Sequence, residues 1–292
     1  MPGTNLNVVD MRAPREPLPR NSCDCQIHVY GDPKRFPVRV AKPLYAPPVA
    51  GLEDSQRMHE ALGVDRVVIV QASVYKTDHS LLIEALRSAP KDKYRGVAVV
   101  DDSLSDAELL KLHEAGVRGA RFNFWKALGL DLDLDTFRRS LERIREFGWH
   151  AKVFFHPDQL PELYEEFRKI HLPAVLDHMG QLDFSKGLGQ PAARLMLDLL
   201  SRENWWVMLS NADRWSASAV PPWSDAIPFG QSFYEAAPDR CIWCTDWPHV
   251  NYEKPMPNDA ELVNQLYRYL PDHEARRKVL VDNPARLYGF VQ

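Results

Sequence analysis

The sequence predicts a single (β/α)₈ barrel, and three observations carry that expectation. Short apolar runs alternate with segments of helical spacing eight times along the chain. No break in composition divides the 292 residues into halves. No glycine-rich phosphate loop follows the first strand, so the alternative, an open doubly wound sheet holding a dinucleotide, has little support.

Residues 1–21 are polar and rich in Pro and Arg and read as an N-terminal arm, leaving 22–292 as one domain. A chain 45% hydrophobic and 26% charged has ordinary soluble composition. Its formal net charge of −4, with no basic block, argues against a nucleic-acid partner. No apolar run reaches the roughly 18 residues of a membrane span, and the N-terminus shows no hydrophobic signal core. A cytoplasmic protein with four reduced cysteines is therefore expected. Cys241 and Cys244 lie three apart on a strand and should face opposite sides, which favours core thiols over a zinc site. The oligomeric state is not legible.

The elements follow in order. Asp24–Tyr30 reads as strand one, with Asp24, Gln26 and His28 on one face, and a Pro-rich connection containing Tyr45 follows. Leu52, Met58 and Leu62 space a helix closed by Gly63, then come a strand over Arg66–Ser73, a helix over Leu81–Leu86 and a strand over Arg95–Val100. Ser105 and Glu108 form a capping box for a helix that Gly116 ends. Val117–Phe124 is a strand; Leu134, Phe137, Leu141 and Ile144 space a helix stopped by Gly148. Trp149–Phe155 is a strand, Pro161 opens a helix with Leu163, Phe167 and Ile170 inward, and Leu172–Asp177 is a strand. Ala192–Leu200 is helical, Trp205–Ser210 a strand, and a Trp- and Pro-rich loop leads to a helix near Phe229–Ala236. Cys241–Thr245 is the last strand, and Asn258–Leu270 and Glu274–Val281 close the chain as helices.

Catalytic groups in such a barrel come from the C-terminal ends of the strands. Those ends carry Gln26 and His28, Ser73, Arg121 and Asn123, Phe154 and His156, His178, Asn211 and Arg214, then Asp246 and His249. Asp246, beside Trp247, suits a general base whose pKa is raised by desolvation, or a carboxylate capping the next helix or pairing with an arginine. Singly, His28 suits a core histidine, Arg121 an ion-pair partner of Asp24 or Asp101, and Arg214 a solvated loop residue. Together they suit a reaction site. Lys152 shares a face with Phe154 and reads as a buried partner for a carboxylate. His59, His79, His113 and His273 read as surface residues.

Five motifs occur in order: Asp24-Cys25-Gln26-Ile27-His28, Val70-Gln71-Ala72-Ser73, Arg118 to Phe124, Asp177-His178-Met179-Gly180, and Thr245-Asp246-Trp247-Pro248-His249. This pattern resembles the amidohydrolase superfamily, and within it the 2-pyrone-4,6-dicarboxylate lactonase group, from about Ser22 to Tyr288. The resemblance implies an amidohydrolase-type barrel that opens a lactone ring. It makes Asp246 the acid/base and sets His28 and His178 about the reacting carbonyl. Tyr45, Ser73, Arg121 and Arg214 match groups holding substrate carboxylates, and His249 and Asn251 match the loop after strand eight.

Three departures bear on this. Gln26 stands where the superfamily has the first imidazole of a His-x-His pair, and an amide oxygen is a weak zinc ligand. The lactonases it resembles work without a metal, as do galactarolactone isomerases, which share Gln-x-His. No metal or other cofactor is therefore expected. Ala127 and Phe154 replace an arginine and a tyrosine, implying a less charged lactone. Lactone isomerisation, a metal-using hydrolase or decarboxylase, and a non-catalytic ligand-binding barrel are the alternatives.

Overall fold

The computed structural model describes residues 11–128 and 132–291. The first ten residues of the expected arm lie outside them. Eight parallel strands form one sheet in sequence order. They are β1 (Cys23–Ile27), β2 (Arg66–Val70), β3 (Tyr94–Val99), β4 (Val117–Asn123), β5 (His150–Phe154), β6 (Ala174–Leu176), β7 (Trp205–Met208) and β8 (Cys241–Ile242). Backbone hydrogen bonds from Cys25 N–H to Trp243 O (3.0 Å), Asp246 N–H to Gln26 O (3.1 Å) and His28 N–H to Trp247 O (2.8 Å) close the barrel. The predicted (β/α)₈ barrel is the observed fold.

The outer helices are α1 (Leu52–Leu62), α2 (Ser80–Ser88), α3 (Asp106–Ala115), α4 (Leu134–Arg145), α5 (Leu160–Phe167), α6 (Pro191–Leu200), α7 (Ala212–Trp215), α8 (Ile227–Ala236), α9 (Asp259–Tyr269), α10 (His273–Arg277) and α11 (Asn283–Tyr288). The sequence placed the helix ends well because the caps are local chemistry. Ser105 and Glu108 form their capping box, and Gly116 ends α3 in the left-handed region at φ 109°. Strand ends ran long: β2 stops at Val70, and Ser73–Tyr75 is a 3₁₀ turn. Ile170 lies beyond α5, and α11 was not foreseen.

Two apolar layers result. Cys25, Val68, Val97, Val175, Met208, Ile242 and Cys244 fill the barrel interior, while Ile27, Ile69, Phe122 and Cys241 face the helices. Cys241 and Cys244 thus point opposite ways, as strand alternation requires. All four cysteines are free and buried. The described part of the arm is tied down: Arg15 N–H donates to Asn264 Oδ1 (2.9 Å), Tyr267 Oη–H to Pro17 O (3.1 Å), and Arg276 pairs with Glu16 (2.6 Å). No described helix is long and apolar enough to cross a membrane.

Strand one departs from simple alternation. Asp24 aligns with Val67 and Ile27 with Ile69, so three residues of β1 span two of β2. That bulge separates Asp24 from Gln26 and His28. Asp24 faces outward, not into the shared face expected of it. Its Oδ1 accepts from Thr245 N–H (3.0 Å) and Gln26 N–H (3.2 Å). Its Oδ2 accepts from the Thr245 hydroxyl and meets His59 Nε2 at 3.1 Å.

His59 and His79 are buried, correcting their expected exposure; His113 is partly buried, accepting from Trp149 Nε1–H, and His273 is exposed. Asp24→Ala removes a buried acceptor used by four donors on three segments. It should cost about 3 kcal/mol or more, read as a lower urea midpoint at unchanged m-value.

Candidate active site

The strand ends surround a cavity of about 300 Å³, a size that suits a small organic ligand. Asp246 follows β8 and occupies the left-handed region at φ 64°; Asn211 (φ 63°) and His178 (φ 47°) do likewise after β7 and β6. Non-glycine residues adopt this region at a cost, and three of them at one rim mark a constrained site.

Asp246 is the hub. Its Oδ1 accepts from Gln26 Nε2–H (2.9 Å) and lies 3.5 Å from the Nε2 atoms of both His28 and His178. Its Oδ2 lies 3.6 Å from a terminal nitrogen of Arg214. Burial pushes the carboxyl up, but the His178 ring, the His28 hydrogen bond and the Arg214 guanidinium outweigh it and hold it well below the usual range. The raised pKa expected from desolvation is therefore corrected: Asp246 is held as a carboxylate.

The imidazoles are fixed by their partners. His28 Nδ1 lies 2.8 Å from Val70 O and must donate to it, leaving Nε2 turned toward Asp246. His178 Nδ1 lies 2.8 Å from Ser210 Oγ, and its Nε2 lies 2.7 Å from Gln26 Nε2. Burial lowers the His178 pKa to about 4 against the pull of Asp177 and Asp246, so the ring is neutral at neutral pH.

Below them lies a buried charge cluster. Lys152, fully buried, donates to Gln26 Oε1 and pairs with Asp177 Oδ1 at 3.2 Å. Its reading as a carboxylate's buried partner holds. Arg121 approaches Asp177 Oδ2 at 3.3 Å and lies over the Phe154 ring at 4.7 Å. Its partner is thus Asp177, neither Asp24 nor Asp101, and its Nε–H has no partner among the described residues. Burial pushes the Asp177 carboxyl up, but His178, Lys152 and Arg121 carry it below its ordinary value.

Tyr45, Ser73, Arg121, Phe154, Arg214 and Asn251 line the cavity with Asp246, His28 and His178. Tyr45 and Tyr30 share a hydrogen bond between hydroxyls at 2.7 Å, and Asn123 Nδ2–H donates to Ser73 Oγ at 3.4 Å. Arg214 is not a solvated loop residue: it sits on α7, donates to Val250 O (2.9 Å) and Asn251 O (3.1 Å), and stacks on Tyr252 at 5.0 Å.

Two expected contacts are corrected. Gln26 is fully buried beneath the lining and meets Asp246 and His178 from below. His249 faces away and pairs with Asp259 at 2.9 Å, because positive φ at Asp246 and His249 turns the chain and cancels strand alternation. His156 turns outward beside Asp158. The sequence reading missed Trp125, Gln181, Tyr252 and Lys254, which line the cavity from irregular segments; only the aromatic and Gly/Asn-type turn composition near them could have pointed there.

The sequence profile described as Amidohydrolase matches residues 23–290. The chain belongs to the amidohydrolase family. It is 37% identical over 283 residues to a 2-pyrone-4,6-dicarboxylate hydrolase of Comamonas testosteroni, covering 94% of this chain and 92% of the relative. It is 36% identical over 277 residues to a 4-sulfomuconolactone hydrolase of Rhizobium radiobacter, with the same coverage. Among solved structures, a probable 2-pyrone-4,6-dicarboxylic acid hydrolase from Acinetobacter baumannii with citric acid bound superposes with a TM-score of 0.81 at 25% identity, covering 92% of this chain and all of the other.

The donor set of this amidohydrolase does not fit a metal ion. Beside His28 the first strand offers the amide of Gln26, a weak ligand, and the Lys152 ammonium donates to that amide's oxygen. Among the described residues, no three His, Cys, Asp or Glu side chains group to hold one.

Three buried histidines weaken the fold in acid, and His249, where burial is outweighed by Asp259 and Asp213 so that the pKa is raised, works the other way. Burial lowers the pKa of His178 and His79 to about 4 and that of His150 to about 3. Unfolded, each titrates near about 6.5. Between those values the unfolded chain binds protons that the folded chain refuses, so their stabilising contribution is complete above the unfolded value and is lost as pH falls toward the folded ones. Urea unfolding should show stability falling from about pH 6.5 downward, before carboxylates titrate, by up to about 1.4 kcal/mol per pH unit per histidine.

Proposed function

We propose that this chain hydrolyses a lactone bearing an anionic group, with Asp246 as the acid/base and without a metal. The observation that carries this is the Asp246 carboxylate itself: held ionised, tethered through Oδ1 to Gln26, with Oδ2 on the Arg214 side of the cavity. The relatives named as lactone-ring hydrolases support the reaction class, and the Lys152–Gln26 contact supports the metal-free route.

In this scheme Arg214 and Arg121 orient the substrate's anionic group. Asp246 takes a proton from water, and the hydroxide adds to the lactone carbonyl. His28, with Nδ1–H on Val70 O and Nε2 turned to the cavity, faces the carbonyl oxygen where negative charge develops and stabilises it by any proton that Nε2 carries. His178, with both ring nitrogens engaged, orients the hub rather than donating to substrate. The intermediate collapses with cleavage of the ring C–O bond, and Asp246 returns its proton to the leaving oxygen, giving a hydroxyl or enol and a carboxylic acid that releases its own proton to solvent as the carboxylate. Phe154 and Trp125, stacked at 6.0 Å, give the ring an apolar wall. Four free thiols suit a cytoplasmic setting.

Asp246→Asn should lower kcat by about 10²–10⁴-fold while substrate binding survives. A rate unchanged by the substitution would refute the assignment. Turnover in ¹⁸O-water should place label in the new carboxylate; an unlabelled product with a shifted ring would mean isomerisation instead. Arg214→Met should raise KM about tenfold or more for an anionic lactone and much less for a neutral one.

A further inference from the structure

We infer that Lys152 is a positioning residue acting through Gln26: its ammonium orients the Gln26 amide, and the amide sets the His178 tautomer and holds one oxygen of Asp246. For its effect on turnover, this inference rests on the lactone-opening reading above. The arrangement itself stands on geometry alone.

Lys152 Nζ has three neighbours in the barrel: Gln26 Oε1, Asp177 Oδ1 at 3.2 Å and Met208 Sδ at 3.6 Å. An ammonium only donates, so it requires the amide oxygen to face it. At the opposite end the amide meets Asp246 Oδ1, a carboxylate oxygen that only accepts. A flipped amide would set NH₂ against ammonium and oxygen against carboxylate. Both ends therefore select one orientation.

That orientation has a consequence one residue further on. One NH₂ proton is committed to Asp246 Oδ1 at 2.9 Å, and the other meets His178 Nε2 at 2.7 Å. His178 Nε2 must then carry its lone pair. The ring proton goes to Nδ1, which donates to Ser210 Oγ at 2.8 Å. The buried cation, together with the carboxylate at the amide's far end, thus specifies which nitrogen of the imidazole keeps its lone pair.

The test reads the tautomer in the full-length protein labelled with ¹⁵N-histidine, with His178 signals identified by their loss in His178→Asn. Wild type should show Nδ1 protonated and Nε2 bare. Gln26→Glu keeps an oxygen for Lys152 but replaces the NH₂ donor by an acceptor, so the proton should move to Nε2. Its kcat should fall about 10²-fold or more while KM changes by less than about threefold. Lys152→Met leaves only the Asp246 end to select the amide, so a population of His178 protonated at Nε2 should appear beside the wild-type form, and its absence removes Lys152 from the inference; should that variant fail to fold, Lys152→Gln, which keeps a donor without the charge, is read the same way. A wild-type tautomer retained in Gln26→Glu overturns the inference, even if kcat falls. Failure to turn over any lactone would instead count against the proposed function, because the tautomer is read without substrate.

Discussion

An ammonium ion in the middle of a barrel is the constraint on which the site depends. Stripped of water, Lys152 costs several kcal/mol unless its surroundings replace the lost solvation. They do so through Asp177 and the Gln26 carbonyl. Asp177 also serves Arg121, while the amide's far end serves Asp246, which in turn faces Arg214. The result is a row of alternating charges, Arg214, Asp246, Lys152, Asp177 and Arg121, with Gln26 as the neutral link. Glu253 and Lys254 also line the cavity and buried Asp213 interacts with Arg214, so the row fixes which charges pair rather than a net sign.

Holding that row in register requires a distorted backbone. The bulge in β1 sends Asp24 outward and leaves Gln26 under the cavity. Asp24 then grips the backbone and hydroxyl of Thr245, the residue before Asp246. The carboxylate that anchors the barrel seam thus sits one turn of chain from the carboxylate that faces the cavity, and the positive φ of Asp246 is held by bonds on both sides. Strain of this kind persists only where neighbours over-determine it.

Much of this was legible in the sequence, for identifiable reasons. Barrel topology follows from alternating periodicity, and the ends of α1 and α3 from Gly63, Ser105, Glu108 and Gly116, each a local signal. The rim positions of His28, Arg121, Phe154 and Asp246 followed from strand ends. Asp24 was misplaced because a bulge leaves no trace in residue type, and His249 because alternation fails once φ turns positive. His59 was misread because a polar residue on an amphipathic helix looks solvent-facing until its buried acceptor, from a distant strand, is known. Lys254 and Tyr252 lie on irregular chain, where no periodicity exists to read.

The low proton affinity of Asp246 looks ill suited to a base, since efficient proton transfer needs a pKa near the working pH. The same charges that depress it resolve the difficulty. Arg214 stands 3.6 Å from Oδ2, a loose contact, and is anchored by backbone carbonyls rather than by the carboxylate. A substrate anion that engages Arg214 offsets its field at Asp246, while the arriving ring displaces water and strengthens the desolvation that already pushes the carboxyl upward. Both changes raise its proton affinity when the substrate is present. On the proposed scheme, the carboxylate that is ionised while the cavity is open becomes a stronger base as the cavity fills, and the cation that accomplishes this is the one assigned to the substrate's anionic group.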